Sequence, residues 1–347
     1  MTDVNRQWLL RARPQGHLRL EDFEYREQPA ATAPLAEGEV RIRNVVFLCA
    51  PTMRNWMDPP GNSFYPSVPL GAPVMAPAVG RVVASNNPEF AVGDRVSSIS
   101  SWQDFATVAA TELRKPTKLP DGVSFIDALG RFGLNPLTAY FGLLEVGQPQ
   151  AGETLVVSGA AGSTGSTVCQ IGKIKGLTVV GIAGGRDKCA WLTGECGIDA
   201  AIDYKHENVE ARLAELCPTG VDVFFDNVGG DILQAAVNNM APKGRIVLCG
   251  QISSYDADQQ PEGPRNMMRL IYGSIRMQGF LCGNYAAEFP RAVADLKAWH
   301  DAGKIVYRED LHVGFDQLPD AFMTLFRGAN QGTLLVAIDE AEARATS

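Results

Sequence analysis

The chain has 347 residues, 46% of them hydrophobic and 20% charged, with a net charge of −8. That length carries a prior of roughly two domains, and the composition excludes a disordered chain and argues against a nucleic-acid surface. The segment Met1 to Leu10 carries Asp3 and Arg6 and no long apolar run, so no signal peptide is read there. No uninterrupted apolar stretch reaches the roughly 18 residues of a membrane span.

The first third is rich in Pro and Gly and has short apolar runs. Val40–Phe47, Val79–Ala84 and Arg95–Ile99 read as strands, separated by turns such as Pro59-Pro60-Gly61 and Val92-Gly93-Asp94. A β-barrel or sandwich unit is expected. Near residue 125 the rhythm changes. Strands are expected at Thr154–Ser158, Leu177–Ala183, Ala200–Asp203, Val221–Phe225 and Gly244–Cys249. Helices are expected between them at Ser163–Lys175, Asp187–Cys196, Asn208–Leu216 and Asp231–Met240, with a further one at Ala286–Ala302. Strands alternating with helices of this length predict a parallel, doubly wound α/β sheet. The tail, Val306–Val313 and Thr333–Ile338, reads as strand again and is expected to rejoin the N-terminal unit.

The segment from Val156 to Gly165 (VVSGAAGSTG) links the first of these strands to its helix. Gly162 lets backbone approach a pyrophosphate, and Gly165 lets the helix pack on the strand. The helix N-terminus then offers N–H groups to phosphate. The usual glycine at the second position is Ala160, so the motif rests on its strand–helix context. The second strand ends Ile182-Ala183-Gly184-Gly185 with no acid at its tip, and Arg186 and Lys188 follow. An acid there would hold a ribose 2′-hydroxyl, whereas small residues and cations suit a 2′-phosphate. NADP is therefore expected, although a solvated helix start would also explain the cations. Asp187 is read as the N-cap of that helix.

Seven cysteines, none in a CxxC pair, read as free thiols of a reducing, cytosolic compartment. The chain has only four histidines, His17, His206, His300 and His312. Where two-domain zinc dehydrogenases carry Gly-His-Glu, this chain reads Ala76-Pro77-Ala78-Val79-Gly80, and Cys49 has no evident partner. No metal is expected, so another group must stabilise charge developing on a substrate oxygen.

Further segments carry a resemblance. They are Thr138–Leu144 (TAYFGLL), Gln150–Thr154 (QAGET), Gln170–Gly176, Val92–Val96 (VGDRV), Asp226–Gly230 (DNVGG), Cys249–Tyr255 (CGQISSY) and Asn330-Gln331-Gly332. Together they resemble the zinc-independent medium-chain dehydrogenase/reductases, in the subgroup of leukotriene B4 dehydrogenase/prostaglandin reductase, plant double-bond reductases and bacterial curcumin reductases. The resemblance covers nearly the whole chain. It implies a GroES-like β-barrel catalytic domain at 1–128, an NADP-binding Rossmann domain at 129–302 and a return to the catalytic domain at 303–347. It also implies a cytoplasmic homodimer that reduces the C=C bond of an α,β-unsaturated aldehyde or ketone with NADPH.

By that resemblance Lys188 and Tyr204 would bind the 2′-phosphate, and Asn227 and Asn330 would contact the cofactor. Thr138, Ala161, Gly162, Thr164, Gly165, Gly184 and Cys249 would complete its cradle, and the backbone near Phe280 and Cys282 would face the nicotinamide. Tyr255 and Tyr272 are implied to be catalytic, with Tyr255 also touching the cofactor. Thr52 and Arg54 would meet the substrate. Tyr204 also reads as an exposed strand-end aromatic, Asn227 as a turn residue, Tyr255 as a loop cap and Tyr272 as core packing. The chain departs from the family at Ala50-Pro51-Thr52-Met53-Arg54, where Asp and Tyr are typical, and at Gly133-Leu134-Asn135-Pro136. Both segments line the substrate cleft in relatives, so substrate preference transfers least. Arg54 reads either as a partner for an acidic substrate tail or as one half of a surface ion pair. A quinone reductase and a non-catalytic NADP-binding protein are the alternative readings.

Overall fold

The computed structural model describes residues 4–61, 66–109, 115–256 and 263–346. The chain divides into two compact units, 1–131 together with 309–347, and 132–308. The first unit opens with β1 (Val4–Leu10), β2 (Phe23–Pro29), β3 (Glu39–Leu48), β4 (Met75–Ser85), β5 (Arg95–Ser101), β6 (Phe105–Ala109), β7 (Thr117–Lys118) and the short helix α1 (Phe125–Leu129).

The second unit begins with α2 (Leu134–Phe141), which passes into a π-helical turn over Gly142–Gly147. Then follow β8 (Thr154–Ser158), α3 (Ser163–Ile174), β9 (Thr178–Ala183), α4 (Arg186–Gly194), β10 (Ala200–Asp203) and α5 (Val209–Leu216). The unit continues with β11 (Val221–Asp226), α6 (Gly230–Asn239), β12 (Met240–Leu248), α7 (Ile252–Tyr255), α8 (Met268–Gly273), β13 (Arg276–Gly279) and α9 (Phe289–Asp301). The chain then returns to the first unit as β14 (Glu309–Val313), α10 (Leu318–Thr324), β15 (Thr333–Ala337) and α11 (Glu340–Arg344).

In the first unit β1 and β2 form an antiparallel hairpin, and the main sheet runs β14-β15-β3-β4-β5-β7, with β6 also on β3. Every pairing in it is antiparallel except that of β14 with β15. β3 alternates half-buried and buried positions at its start and is wholly buried at its end. Its second half carries Val45 to Leu48 into a core with Trp56, Trp102, Phe315 and Phe322. The tail thus completes this core with residues nearly 300 positions from its start.

In the second unit six parallel strands lie in the order β10-β9-β8-β11-β12-β13. Alternate residues of the central strands feed two separate cores. Leu155 and Val157 join Val179, Val223 and Phe225 on one face, while Val156 joins Val180, Phe224 and Ile246 on the other. A sheet covered on both faces needs nearly continuous apolar strands, which is why Thr154–Ser158 and Thr178–Ala183 show no polar alternation. This is the expected doubly wound architecture beside a separate β-rich unit. Among the described residues no helix is long and apolar enough to cross a membrane.

Several local expectations are corrected. The strand expected from Gly244 begins at Met240, directly after α6, and a register shift near Val221 accommodates the extra residues. The helix expected from Ala286 begins at Phe289, with Pro290 in its first turn after an irregular 3₁₀ segment. Proline presets the helical φ there and lacks only an N–H that the helix would not use. The strand expected from Val306 begins at Glu309.

Candidate active site

The order of the parallel sheet reverses between β8 and β11, and ligands of open α/β sheets bind beyond the carboxyl ends of the strands at such a point. The loops leaving these two strands are tied together by Asp226, which is 1% exposed. Its Oδ1 accepts from the Ser158 hydroxyl at 2.7 Å and from the N–H groups of Val228 and Gly229 at 3.1 and 3.0 Å. Ser158 Oγ in turn accepts from Asn227 N–H at 2.8 Å, and Asn227 Nδ2 donates to the Ser158 carbonyl at 2.7 Å. Burial pushes the Asp226 carboxyl up, and the bonds from Gly229, Ser158 and Val228 oppose that. Sequence reasoning assigned neither Ser158 nor Asp226 a part. The pair is 68 positions apart, and only the adjacency of β8 and β11 joins it.

The turn after β8 is built by close backbone approach. Gly159 has φ +59, and a Cβ on Gly165 would stand 2.3 Å from the Gly159 carbonyl oxygen and 2.8 Å from Ala160 Cα. Gly165 is therefore required by packing of helix on strand, as read from the sequence. A Cβ on Gly162, the N-cap of α3, would lie 3.3 Å from the same carbonyl. Ala161 is buried, and Gly162 and Thr164 are half-buried at the opening of α3. No side chain caps α3. Its first N–H groups thus face a cradle into which an added Cβ fits poorly, an arrangement suited to a pyrophosphate.

A second corner forms where β9 and β10 end. A Cβ on Gly184 would come within 2.9 Å of the Tyr204 ring and 3.0 Å of Lys205 Cε, so both side chains lie against this glycine. Lys188 is half-buried on the first turn of α4, while Arg186, Tyr204 and Lys205 are exposed. Sequence reasoning missed Lys205, whose place beside Gly184 depends on strand order. The N-cap of α4 is Gly185 at φ +98, not Asp187, which lies in the first turn. The carboxylate that fixes this turn comes from Asp203. Its Oδ1 accepts from Gly185 N–H at 2.8 Å and Lys205 N–H at 3.2 Å, and its Oδ2 meets His206 Nδ1 at 2.7 Å. Burial pushes the Asp203 carboxyl up, but the bonds from Gly185, His206 and Lys205 outweigh it and hold it below the usual aspartate range.

Toward β12 and β13, the Tyr255 hydroxyl accepts from Gln251 N–H at 3.0 Å and so caps its loop. A Cβ on Gly250 would lie 3.4 Å from that hydroxyl. Phe280 packs on Gly142 so closely that a Cβ there would be 2.4 Å from its ring. Burial raises the Cys249 thiol to about 12 and the Cys282 thiol to about 11, the latter opposed by a bond with Thr138. Thr138 also donates to the Leu134 carbonyl at 2.8 Å. Tyr272 is not core packing: it stands on α8 and is 83% exposed.

Three of the sequence-predicted residues lie in the first unit. Arg54 is buried rather than at the surface, paired with Asp58 at 2.6 Å and bonded to the carbonyls of Pro14 and Gly16 at 3.4 and 3.3 Å. Thr52 is half-buried on the same 3₁₀ segment, Pro51–Met57. Asn330 donates to the Gly332 carbonyl at 3.1 Å. Among the described residues no three His, Cys, Asp or Glu side chains gather as a metal site.

Residues 6–115 match the family described as N-terminal domain of oxidoreductase, and residues 163–298 match the one described as zinc-binding dehydrogenase. The chain is 38% identical over 343 residues to the NADPH-dependent curcumin reductase of Escherichia coli, covering 96% of this chain and 97% of that one. It is 34% identical over 336 residues to the 2-alkenal reductase (NADP(+)-dependent) of Nicotiana tabacum, again covering 96% and 97%. The crystal structure of CurA from Vibrio vulnificus in complex with NADPH superposes with a TM-score of 0.87 at 37% identity, covering 96% of this chain and 99% of that one.

Proposed function

The chain belongs to the zinc-independent medium-chain dehydrogenase/reductases, and from that premise we propose that it reduces the C=C bond of α,β-unsaturated aldehydes or ketones. It is an NADP-dependent oxidoreductase acting on CH–CH bonds. The observation that carries the substrate class is similarity over the full length to a curcumin reductase and a 2-alkenal reductase.

When bound, NADPH would supply a hydride to one carbon of the double bond, and a proton from solvent would complete the other. We assign its pyrophosphate to the α3 N-terminus with Ala161, Gly162, Thr164 and Gly165, and its 2′-phosphate to Gly184, Lys188 and Tyr204. Asn227, Thr138 and Cys249 complete the cradle, and the backbone of Phe280 and Cys282 meets the nicotinamide. The close packing of Gly142 on Phe280 supports that last assignment, because it fixes where the segment runs. Tyr255 donates a hydrogen bond to the carbonyl oxygen as negative charge develops there. The Gln251 N–H holds its oxygen in place, which lowers the cost of orienting the donor. Tyr272 contacts substrate from α8. Arg54 is bonded to Asp58 and to the carbonyls of Pro14 and Gly16 and so sets the shape of the turn, and we assign Thr52, on the same 3₁₀ segment, to the substrate.

Two further properties belong to this reading. The chain forms a homodimer through the edge of the parallel sheet, where β13 pairs only with β12 among the described residues and Met268, Ile271 and Leu281 are 52%, 67% and 46% exposed. It works in the reducing cytoplasm, in keeping with seven free cysteines. A monomer by sedimentation at micromolar concentration would overturn the dimer.

The test of the chemistry is isotopic. Incubation of a simple enone with 4-deuterated NADPH is expected to place deuterium on the β-carbon with the carbonyl intact. Label on the carbinol carbon of an allylic alcohol refutes the reading. Tyr255→Phe is expected to lower turnover by about 10²-fold while NADPH affinity stays within a few-fold. An unchanged rate would remove Tyr255 from the mechanism.

A further inference from the structure

We propose that Ser253 is a positioning residue for Tyr255: by fastening α7 to the loop that leaves β11, it holds the tyrosine hydroxyl where the substrate's carbonyl oxygen needs a donor. The inference rests on the reading of Tyr255 as that donor. Its own observation is how α7 is held. α7 (Ile252–Tyr255) has four residues and no side-chain cap. A helix so short does not hold by itself in water, where about 12 residues are needed. The first N–H groups of a helix find no partner inside it, and here the neighbouring loop supplies the acceptors. Ile252 N–H donates to the Asn227 carbonyl at 3.2 Å, and Ser253 N–H donates to the Val228 carbonyl at 3.1 Å. The Ser253 hydroxyl donates to that same Val228 carbonyl at 2.6 Å, so one residue takes both of its lone pairs.

The loop that receives these bonds is itself anchored at its root. The Asp226 carboxylate accepts from the N–H groups of Val228 and Gly229, and the Asp226 backbone carbonyl accepts from Cys249 and Gly250 N–H at 2.9 and 3.1 Å. Gly229 has φ +75, and a Cβ there would stand 2.5 Å from Gln251 Cγ, so Gln251 packs directly on this loop. Its N–H is the one that donates to the Tyr255 hydroxyl. A Cβ on Gly250 would lie 3.4 Å from both the Asn227 carbonyl oxygen and that hydroxyl. The tyrosine oxygen is thus tied to the β11 loop by two routes, one through Gln251 and one through α7. Within α7 the Ser254 hydroxyl turns back to the Gln251 carbonyl at 2.8 Å, and the Ser253 hydroxyl reaches across to the loop. Ser253 is exposed, so its truncation opens no cavity. A donor fixed in advance acts on charge that develops in the transition state, so loosening it lowers kcat and leaves KM in place.

The experiment is steady-state kinetics of the full chain with a simple enone and NADPH, for Ser253→Ala and Ser253→Thr, each with and without Tyr255→Phe. NADPH affinity is followed alongside by fluorescence titration. Ser253→Ala is expected to lower kcat about three- to ten-fold, the scale of one hydrogen bond. The enone KM and NADPH affinity should stay within about two-fold, as for a loss confined to the transition state. Ser253→Thr restores the hydroxyl and should restore kcat. In the Tyr255→Phe chain, Ser253→Ala should change kcat by less than about two-fold, because the group it positions is gone. An unchanged kcat for Ser253→Ala, or the same loss with and without the Tyr255 hydroxyl, overturns the proposal. A loss that appears as weaker NADPH binding also overturns it and assigns Ser253 to the cofactor loop alone. If Tyr255→Phe itself leaves turnover unchanged, the reading of Tyr255 as donor fails and the proposal falls with it.

Discussion

Two corners of one parallel sheet use the same parts to opposite ends. At the β8–β11 corner, Asp226 is buried with only neutral donors around it, Gly165 is walled by backbone, and the loops are locked across 68 positions. At the β9–β10 corner, Asp203 is less deeply buried, at 6% exposed against 1% for Asp226, and faces a histidine, and the glycine beside it is walled by the ends of exposed side chains. A corner limited by backbone is a fixed cradle, whereas a corner limited by flexible, charged side chains is tunable. The carboxyls record the difference, since Asp226 is pushed above the usual aspartate range and Asp203 is held below it.

The largest expected effect comes from adding one methyl group to each corner. Gly165→Ala drives Cβ to within 2.3 Å of a carbonyl oxygen that cannot swing away, so a loss of about 3 kcal/mol is expected, the upper end of overpacking. Gly184→Ala meets only the Tyr204 ring and the Lys205 stem, near 3 Å, and both can move. Its stability loss should stay below about 1 kcal/mol, with a weaker grip on NADPH. Equal losses in urea unfolding would erase the distinction drawn between the corners.

Next in size are the carboxylates. Asp226→Asn places an amide against the Gly229 N–H and should cost about 2 kcal/mol at neutral pH, the scale of one unsatisfied buried group. The pH dependence separates the two sites. The Asp203 carboxyl is lowered in the fold, so its contribution is present above the usual aspartate value and is lost as pH falls through its folded value. The Asp226 carboxyl is raised, so the unsubstituted chain gains at this site as pH falls and loses as pH rises through its folded value. From pH 6 toward pH 3 the stability gap to Asp203→Asn should narrow and the gap to Asp226→Asn should widen. Parallel trends in chemical unfolding would contradict the opposed environments.

The smallest effect on the fold falls on Lys188→Ala. Stability should stay within about 0.5 kcal/mol, as for a surface substitution. NADPH should bind about ten-fold or more weakly, the scale of one charge-assisted hydrogen bond, with NADH affinity nearly unchanged. Equal loss of both cofactors by fluorescence titration would remove Lys188 from the 2′-phosphate.

Local pattern made much of this legible. The apolar runs Thr154–Ser158 and Ala200–Asp203 are strands with the expected bounds, and Gly165 sits where helix meets strand because its spacing from β8 is fixed by chain geometry. Asp187 misled because an acid before a helix is the usual cap, whereas Gly185 at φ +98 is the cap here and borrows its carboxylate from Asp203, 18 positions away. The π-helical turn at Gly142–Gly147 has no periodic signature of its own, and its close contact with Phe280 spans 138 positions.

The sequence by itself therefore determined the alternation of strands and helices, the glycine turn, the basic corner after β9 and the family. All of these are written in residues a few positions apart, where φ/ψ preference and hydrophobic period act directly. Only the tertiary structure decided that Arg54 is spent on Asp58 and two carbonyls, that Ser158 and Asp226 lock the central crevice, and that Lys205 joins the corner of Gly184. Such pairings depend on which strands become neighbours and on which donors burial leaves needing an acceptor. That accounting closes only when the whole chain has folded.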